Sequence, residues 1–294
     1  MSSLLDPKTV MSIKSLQLAA KTVIDGFLSG VNKSTIKGPG MEFSQYRSYQ
    51  PGDDLRSLDW KMFARSDRYY IRESEVETSI SVRFLVDASA SMNHEDAGFK
   101  KITYAAYLTA SLAYLANLQS DATGLFVLQN GGLFSLVPRQ SVQHLNRLFY
   151  QLENLDPAGK LTEPVAYKEL FAGTGKRELL IFVTDFYEEN NEILALLDKL
   201  STLKHEIIVF QIIGKNELEL DFAGYSTLED LETGETIQIN ATQARKMYKQ
   251  KLQERLTYIK TQLLDRNIFY RLISMDQPLN LALRDFLNQR MKGF

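Results

Sequence analysis

The sequence predicts an α/β fold: a mostly parallel sheet with helices on both faces, preceded by an N-terminal helix and an irregular collar. Three observations carry this. From Ser81 onward, short apolar and β-branched runs alternate with longer amphipathic ones, the pattern of strands joined by crossover helices. Leu179-Leu180-Ile181-Phe182-Val183 is wholly apolar, as a strand buried on both faces must be. Between Val31 and Glu77 neither period is visible, yet Tyr46, Tyr49, Trp60, Phe63, Tyr69 and Tyr70 are too many aromatics for a disordered linker.

The elements follow in order. Asp6-Pro7 pairs a capping side chain with a ring preset for the first helical turn. Val10, Ile13, Leu16, Ala20, Val23 and Phe27 then recur at helical spacing, and Gly30 is expected to end that helix. Strands are predicted at Val82–Asp87, Leu179–Val183, Glu206–Ile213 and Ile268–Ile273. Gly124–Leu128 and Leu133–Val137 make a hairpin across Asn130-Gly131-Gly132, and Ser226–Glu229 with Thr236–Ile239 make a second. Helices are predicted at Phe99–Asn117, Val142–Leu152, Pro164–Phe171, Asn190–Leu200, Ala244–Leu263 and Leu279–Leu287. Two segments result. Residues 1–78 hold the N-terminal helix and a collar packed on the main domain, and 79–294 form that domain, with a hairpin insertion near 216–240.

Composition narrows the function. The chain has 294 residues, 44% hydrophobic and 24% charged, enough to bury a large core without staples. It has no cysteine, which excludes disulfides, zinc–thiolate sites and thiol nucleophiles and fits a reducing compartment. A net charge of -2 gives no general pull toward nucleic acid or anionic membrane. No apolar run is long enough to span a bilayer and no signal peptide is expected, so the expected address is the cytoplasm. His94, His144 and His205 share no ligand spacing.

Ligands collect beyond the carboxyl ends of strands in open α/β sheets. Asp87 ends one such strand and opens Asp87-Ala88-Ser89-Ala90-Ser91; Asp185 ends another in Val183-Thr184-Asp185. Thr162 lies in a loop between them, with Thr174 as its rival. Asp87, Ser89, Ser91, Thr162 and Asp185 are all oxygen donors, suited to a hard divalent cation, Mg²⁺ first and Mn²⁺ or Ca²⁺ as alternatives. Each also has a plainer reading, since Asp, Ser and Thr favour helix N-caps.

Asp-x-Ser-x-Ser, a later Thr and a Thr-Asp strand end resemble the metal-ion-dependent adhesion site of von Willebrand A domains, which implies a von Willebrand A-like (Rossmann-like) fold. A second block lies upstream: Glu42, Phe43, Arg47, Tyr49, Pro51, Gly52, Asp53, Asp54, Arg56, Asp59, Trp60 and Arg65. It resembles the signature of domain-of-unknown-function family fifty-eight, and the likeness runs from about Lys33 to the C-terminus. That resemblance implies an interaction or assembly factor working with a MoxR-type AAA+ ATPase. Phe186 stands where many A domains have glycine, which would narrow access to a metal.

The expected function is therefore a non-enzymatic protein-interaction module with a metal-ion-dependent adhesion site. Two alternatives stay open: a metal-dependent phosphohydrolase or phosphotransferase, and a metal-free scaffold. The upstream block reads either as a docking surface or as a collar of ion pairs and aromatics.

Overall fold

The computed structural model describes residues 6–33, 45–50, 58–73, 79–129, 132–171, 177–188, 190–220 and 225–292. Two compact units are present: Met1–Ser29 together with Ile80–Phe294, and Gly30–Ser79. The N-terminal helical region thus belongs with the larger unit, whereas the sequence grouped it with the collar in 1–78.

Helix α1 (Pro7–Met11) starts as expected, with the Asp6 carboxylate accepting the Thr9 amide at 3.2 Å. The single helix expected next is in fact two, because the chain breaks before α2 (Leu16–Lys33). The Ser12 hydroxyl donates to Thr9 O at 2.7 Å, Tyr107 OH donates to Ile13 O at 2.8 Å, and Glu153 accepts the Leu16 amide at 3.0 Å. These bonds occupy backbone groups that a continuous helix would use itself. Gly30 does not stop α2, since glycine inside a helix costs only about 1 kcal/mol.

In the smaller unit, β1 (Gln45–Ser48), α3 (Trp60–Ser66) and β2 (Tyr70–Glu73) follow. The strands pair antiparallel, Tyr46 opposite Arg72. Asp59 caps α3 by accepting the Lys61 and Met62 amides at 2.9 and 3.0 Å. Phe63 stacks on Tyr69 at 4.5 Å, and Tyr49 meets Tyr69 edge-on at 6.2 Å. Asp59 is thus a capping residue, Tyr49 belongs to the aromatic cluster, and Trp60 is exposed. Arg65 lies in the last turn of α3. Arg47 lies on β1; Glu42, Phe43, Pro51, Gly52, Asp53, Asp54 and Arg56 fall outside the described residues.

The larger unit continues with β3 (Ser81–Asp87), a 3₁₀ turn (Ala90–Asn93), β4 (Glu95–Asp96), β5 (Phe99–Lys100) and α4 (Lys101–Leu118). Next come β6 (Ala122–Gln129), β7 (Gly132–Arg139), α5 (Val142–Glu153), β8 (Leu179–Thr184), α6 (Glu192–Ser201) and β9 (Glu206–Ile213). The chain ends with α7 (Lys215–Glu219), β10 (Tyr225–Glu229), β11 (Thr236–Asn240), α8 (Ala241–Asp265), β12 (Phe269–Ser274) and α9 (Asn280–Lys292). The helix expected at Pro164–Phe171 is present as 3₁₀, with Tyr167 off helical geometry at φ -110°, ψ 39°.

Among the described residues the main sheet runs β12-β9-β8-β3-β6-β7, parallel except for β7. This is the expected α/β class. Alternation along the strands divides the core in two. Leu85, Phe182 and Val209 pack with Ile193 and Leu197 of α6 and Leu263 of α8. Phe84, Val86 and Ile181 point the other way, and α4 packs on that face across β3, β6, β8 and β9. β3 and β8 are adjacent, so Asp87 and the residue after Thr184 arrive together at one rim.

Candidate metal centre

Four of the five expected donors meet there. Asp87 is fully buried; one carboxylate oxygen accepts the Ser89 amide at 2.9 Å and the other the Thr184 hydroxyl at 2.6 Å. The Ser89 and Ser91 hydroxyls are 3.0 Å apart, and Ser91 donates to Asp185 at 3.2 Å. The Asp185 carboxylate also accepts the Tyr187 amide at 3.1 Å. Gln211 on β9 donates to Asp185 O at 3.0 Å and fixes the backbone.

The helix-cap reading does not describe these serines. Ser89 stands at the N-cap of the 3₁₀ turn, but its hydroxyl makes no capping bond and turns to Ser91 instead. Thr162 is placed differently. Its loop is stitched to the Asp87 loop by Ala90 N to Gly159 O at 2.8 Å and Ala158 N to Ala88 O at 3.0 Å. Its own amide and hydroxyl, however, donate to Tyr167 OH at 3.1 and 3.3 Å. Thr162 is beside the cluster without joining its hydrogen bonds, and Thr174 lies outside the described residues. Phe186 takes a left-handed backbone at φ 60°, which a bulky side chain rarely adopts. Its ring is buried in the core below, so it does not stand over the rim.

Three charged residues complete the surroundings, and spacing alone did not mark them. Lys101, the first residue of α4, is buried and contacts Asp185 at 3.0 Å and Glu217 of α7 at 2.8 Å. Gly214 lets that short helix close, because a Cβ there would stand 2.5 Å from Asn216 Oδ1. Glu232 comes from the turn between β10 and β11. Its carboxyl senses Asp185, Asp87, Ser91 and Lys160. The one sequence signal was Lys101 itself, a charge opening a helix that is otherwise apolar nearly all round.

The electrostatics are unbalanced. Burial and the neighbouring Asp185 charge push Asp87 up to about 6, against hydrogen bonds from Thr184 and Ser89. Burial, Asp185 and Asp87 push Glu232 up to about 7. Burial alone would depress the Lys101 ammonium, but Asp185 and Glu217 outweigh it and hold it above its usual value. Four carboxylates thus share the site with Lys101 and Lys160, and negative charge is in excess.

This donor set fits a hard divalent cation. Asp87, Asp185 and the serine hydroxyls supply oxygens, and the excess charge favours a cation. Lys101 opposes it, since its ammonium already holds one oxygen of Asp185.

A family profile described as "Protein of unknown function DUF58" matches residues 45–257. The chain belongs to the DUF58 family. An uncharacterized protein of Mycobacterium tuberculosis is 28% identical over 233 residues, covering 78% of this DUF58 chain and 73% of the relative. Among solved structures, a conserved hypothetical protein BatB from Bacteroides thetaiotaomicron is 15% identical and covers 73% of this chain and 100% of that one, with a TM-score of 0.47. The SpRpn10 VWA domain is 12% identical, covers 72% and 95%, and scores 0.39. Among the described residues of this DUF58 protein, no helix is long and apolar enough to cross a membrane.

Proposed function

We propose that this DUF58 protein is a non-enzymatic interaction module that binds an acidic group of a protein partner through a divalent cation, Mg²⁺ first, at the strand-end site. The observation that carries this reading is the oxygen cluster of Asp87, Ser89, Ser91 and Asp185, joined at 3.0 and 3.2 Å and short of positive charge. A cation bound there would supply an electrophilic position for an incoming carboxylate. Asp87 and Asp185 would offset its charge, while Ser89 and Ser91 keep the nearest shell largely neutral. Thr184 and the Ser89 amide hold Asp87 in place for that task. The family resemblance suggests a MoxR-type AAA+ ATPase, or its client, as the partner.

The test is recovery of a MoxR-type ATPase from native extract on the immobilised full chain. Recovery is expected in Mg²⁺, with loss in chelator and loss with Asp87→Ala. Equal recovery in all three conditions overturns metal-dependent adhesion.

One observation favours a second reading. The Lys101 ammonium, 3.0 Å from Asp185, acts as a built-in counter-charge and supports a metal-free scaffold. Calorimetric titration separates the two: heat with Mg²⁺, Mn²⁺ or Ca²⁺ supports the cation site, and silence with all three supports the scaffold.

A further inference from the structure

The β10–β11 hairpin adds little to the core. Ile237 is 61% exposed, and Glu235 and Thr236 are exposed beside it. Its turn is nevertheless rigidly made. One oxygen of Asp230 accepts the Glu232 and Thr233 amides at 2.8 and 3.2 Å, and Gly234, at φ 74°, donates to Asp230 O at 2.7 Å. The other oxygen of Asp230 accepts Tyr187 OH at 2.8 Å. Tyr187 lies two residues beyond Asp185, so this bond ties the turn to the rim of the candidate centre.

The turn delivers one acid. Glu232 lines a small recess with Lys160, Leu161, Tyr187, Glu188 and Glu192. Its Oε1 is buried, with no hydrogen-bond partner among the described residues. A buried carboxylate oxygen without a partner is costly. Asp87 and Asp185 repel it further, against a hydrogen bond from the Ser91 hydroxyl and the charge of Lys160. A hard cation between Glu232 and the serine hydroxyls removes both penalties, because carboxylate oxygens are its preferred ligands.

We propose that Glu232, held by the Asp230–Glu235 turn, is an internal acidic ligand of the strand-end cation. The inference rests on the reading of Asp87, Ser89, Ser91 and Asp185 as a cation site. It adds a regulatory feature to that reading. The position an acidic partner seeks is filled from within, and the partner engages by displacing the hairpin.

Mn²⁺ titration of the full chain, followed by water-proton relaxation, tests this in wild type, Glu232→Gln and Asp87→Ala. Wild type binds and Asp87→Ala does not. Glu232→Gln weakens Mn²⁺ roughly tenfold, as loss of a supporting ligand does, and its bound ion gains one exchanging water. Excess glutarate removes that extra water in Glu232→Gln and leaves wild type unchanged. If wild type fails to bind, or Asp87→Ala binds equally well, the cation reading falls and this inference falls with it. If those two behave as expected and Glu232→Gln matches wild type in affinity and hydration, the internal ligand alone is overturned. Weaker binding with unchanged hydration, erased by high salt, marks a distant field effect and overturns it too. Extra water that glutarate fails to displace overturns the competition with an outside acid.

Discussion

Toward the amino end of the parallel strands, Arg83 meets Glu178 at 2.8 Å, their side chains 4% and 0% exposed. Arg83 also donates to Leu170 O at 3.2 Å and lies over the Phe126 ring at 5.4 Å. At the carboxyl end, Asp87, Asp185, Glu217 and Glu232 share Lys101 and Lys160. The amino-end pair is buried; at the carboxyl end Asp87, Asp185 and Lys101 are buried and Glu217, Glu232 and Lys160 half-buried, and both clusters are costly to desolvate. The amino-end pair closes its own charge, which is the mark of a structural element. The carboxyl end leaves charge over, at the rim where α/β sheets bind ligands. Burial of charge alone therefore does not single out a functional site, whereas burial without balance does.

The largest way to break this comparison is at the amino end. Arg83→Met leaves Glu178 buried without its partner and is expected to cost about 3–5 kcal/mol in urea unfolding. Adding Glu178→Gln should return most of that loss. A cost below about 1 kcal/mol would mean the pair is not structural.

Next is Lys101→Met, which removes a cation from a site already short of them. It is expected to destabilise by about 2–3 kcal/mol in chelator, and Mg²⁺ should recover part of the loss. A mutant as stable as wild type in chelator would contradict the charge excess.

Asp87→Asn has the opposite sign. The amide keeps an acceptor for the Ser89 amide while removing a repelled charge, so stability in chelator is expected to rise by about 1–2 kcal/mol, the relief being offset by a weaker bond to Thr184. The same change should abolish any thermal stabilisation by Mg²⁺. A mutant less stable than wild type, and still stabilised by Mg²⁺, would show that Asp87 serves packing alone.

The smallest effect sharpens the comparison through pH. His205 stands 3.9 Å from Glu178, and burial holds it below its usual value of 6.5. A depressed histidine is neutral in the fold and must charge on unfolding. Its contribution is therefore present above pH 6.5 and lost as pH falls below it. His205→Asn should flatten the fall in unfolding stability below pH 6.5; an unchanged slope would remove His205 from the amino-end cluster.

Legibility in the sequence followed the range of the interactions. Leu179–Val183 and the Asp87 strand were readable because their burial is written in consecutive side chains. Asp87, Ser89, Ser91 and Asp185 were readable because strand ends place them. The partners of Lys101 were not: it meets Asp185 across 84 residues and Glu217 across 116, and Glu217 and Glu232 look like ordinary surface charges. The break before Leu16 was hidden for the same reason, since Glu153 accepts its amide from 137 residues away. Thr162 fitted its place in the loop order, but Tyr167 draws its hydroxyl elsewhere.

Anomalous scattering from crystals of the full chain grown with Mn²⁺ locates the ion itself. A manganese peak is expected between Ser89, Ser91 and Asp185, and none in Asp87→Ala. Density for the Lys101 ammonium against Asp185 with no manganese peak at that rim would contradict it.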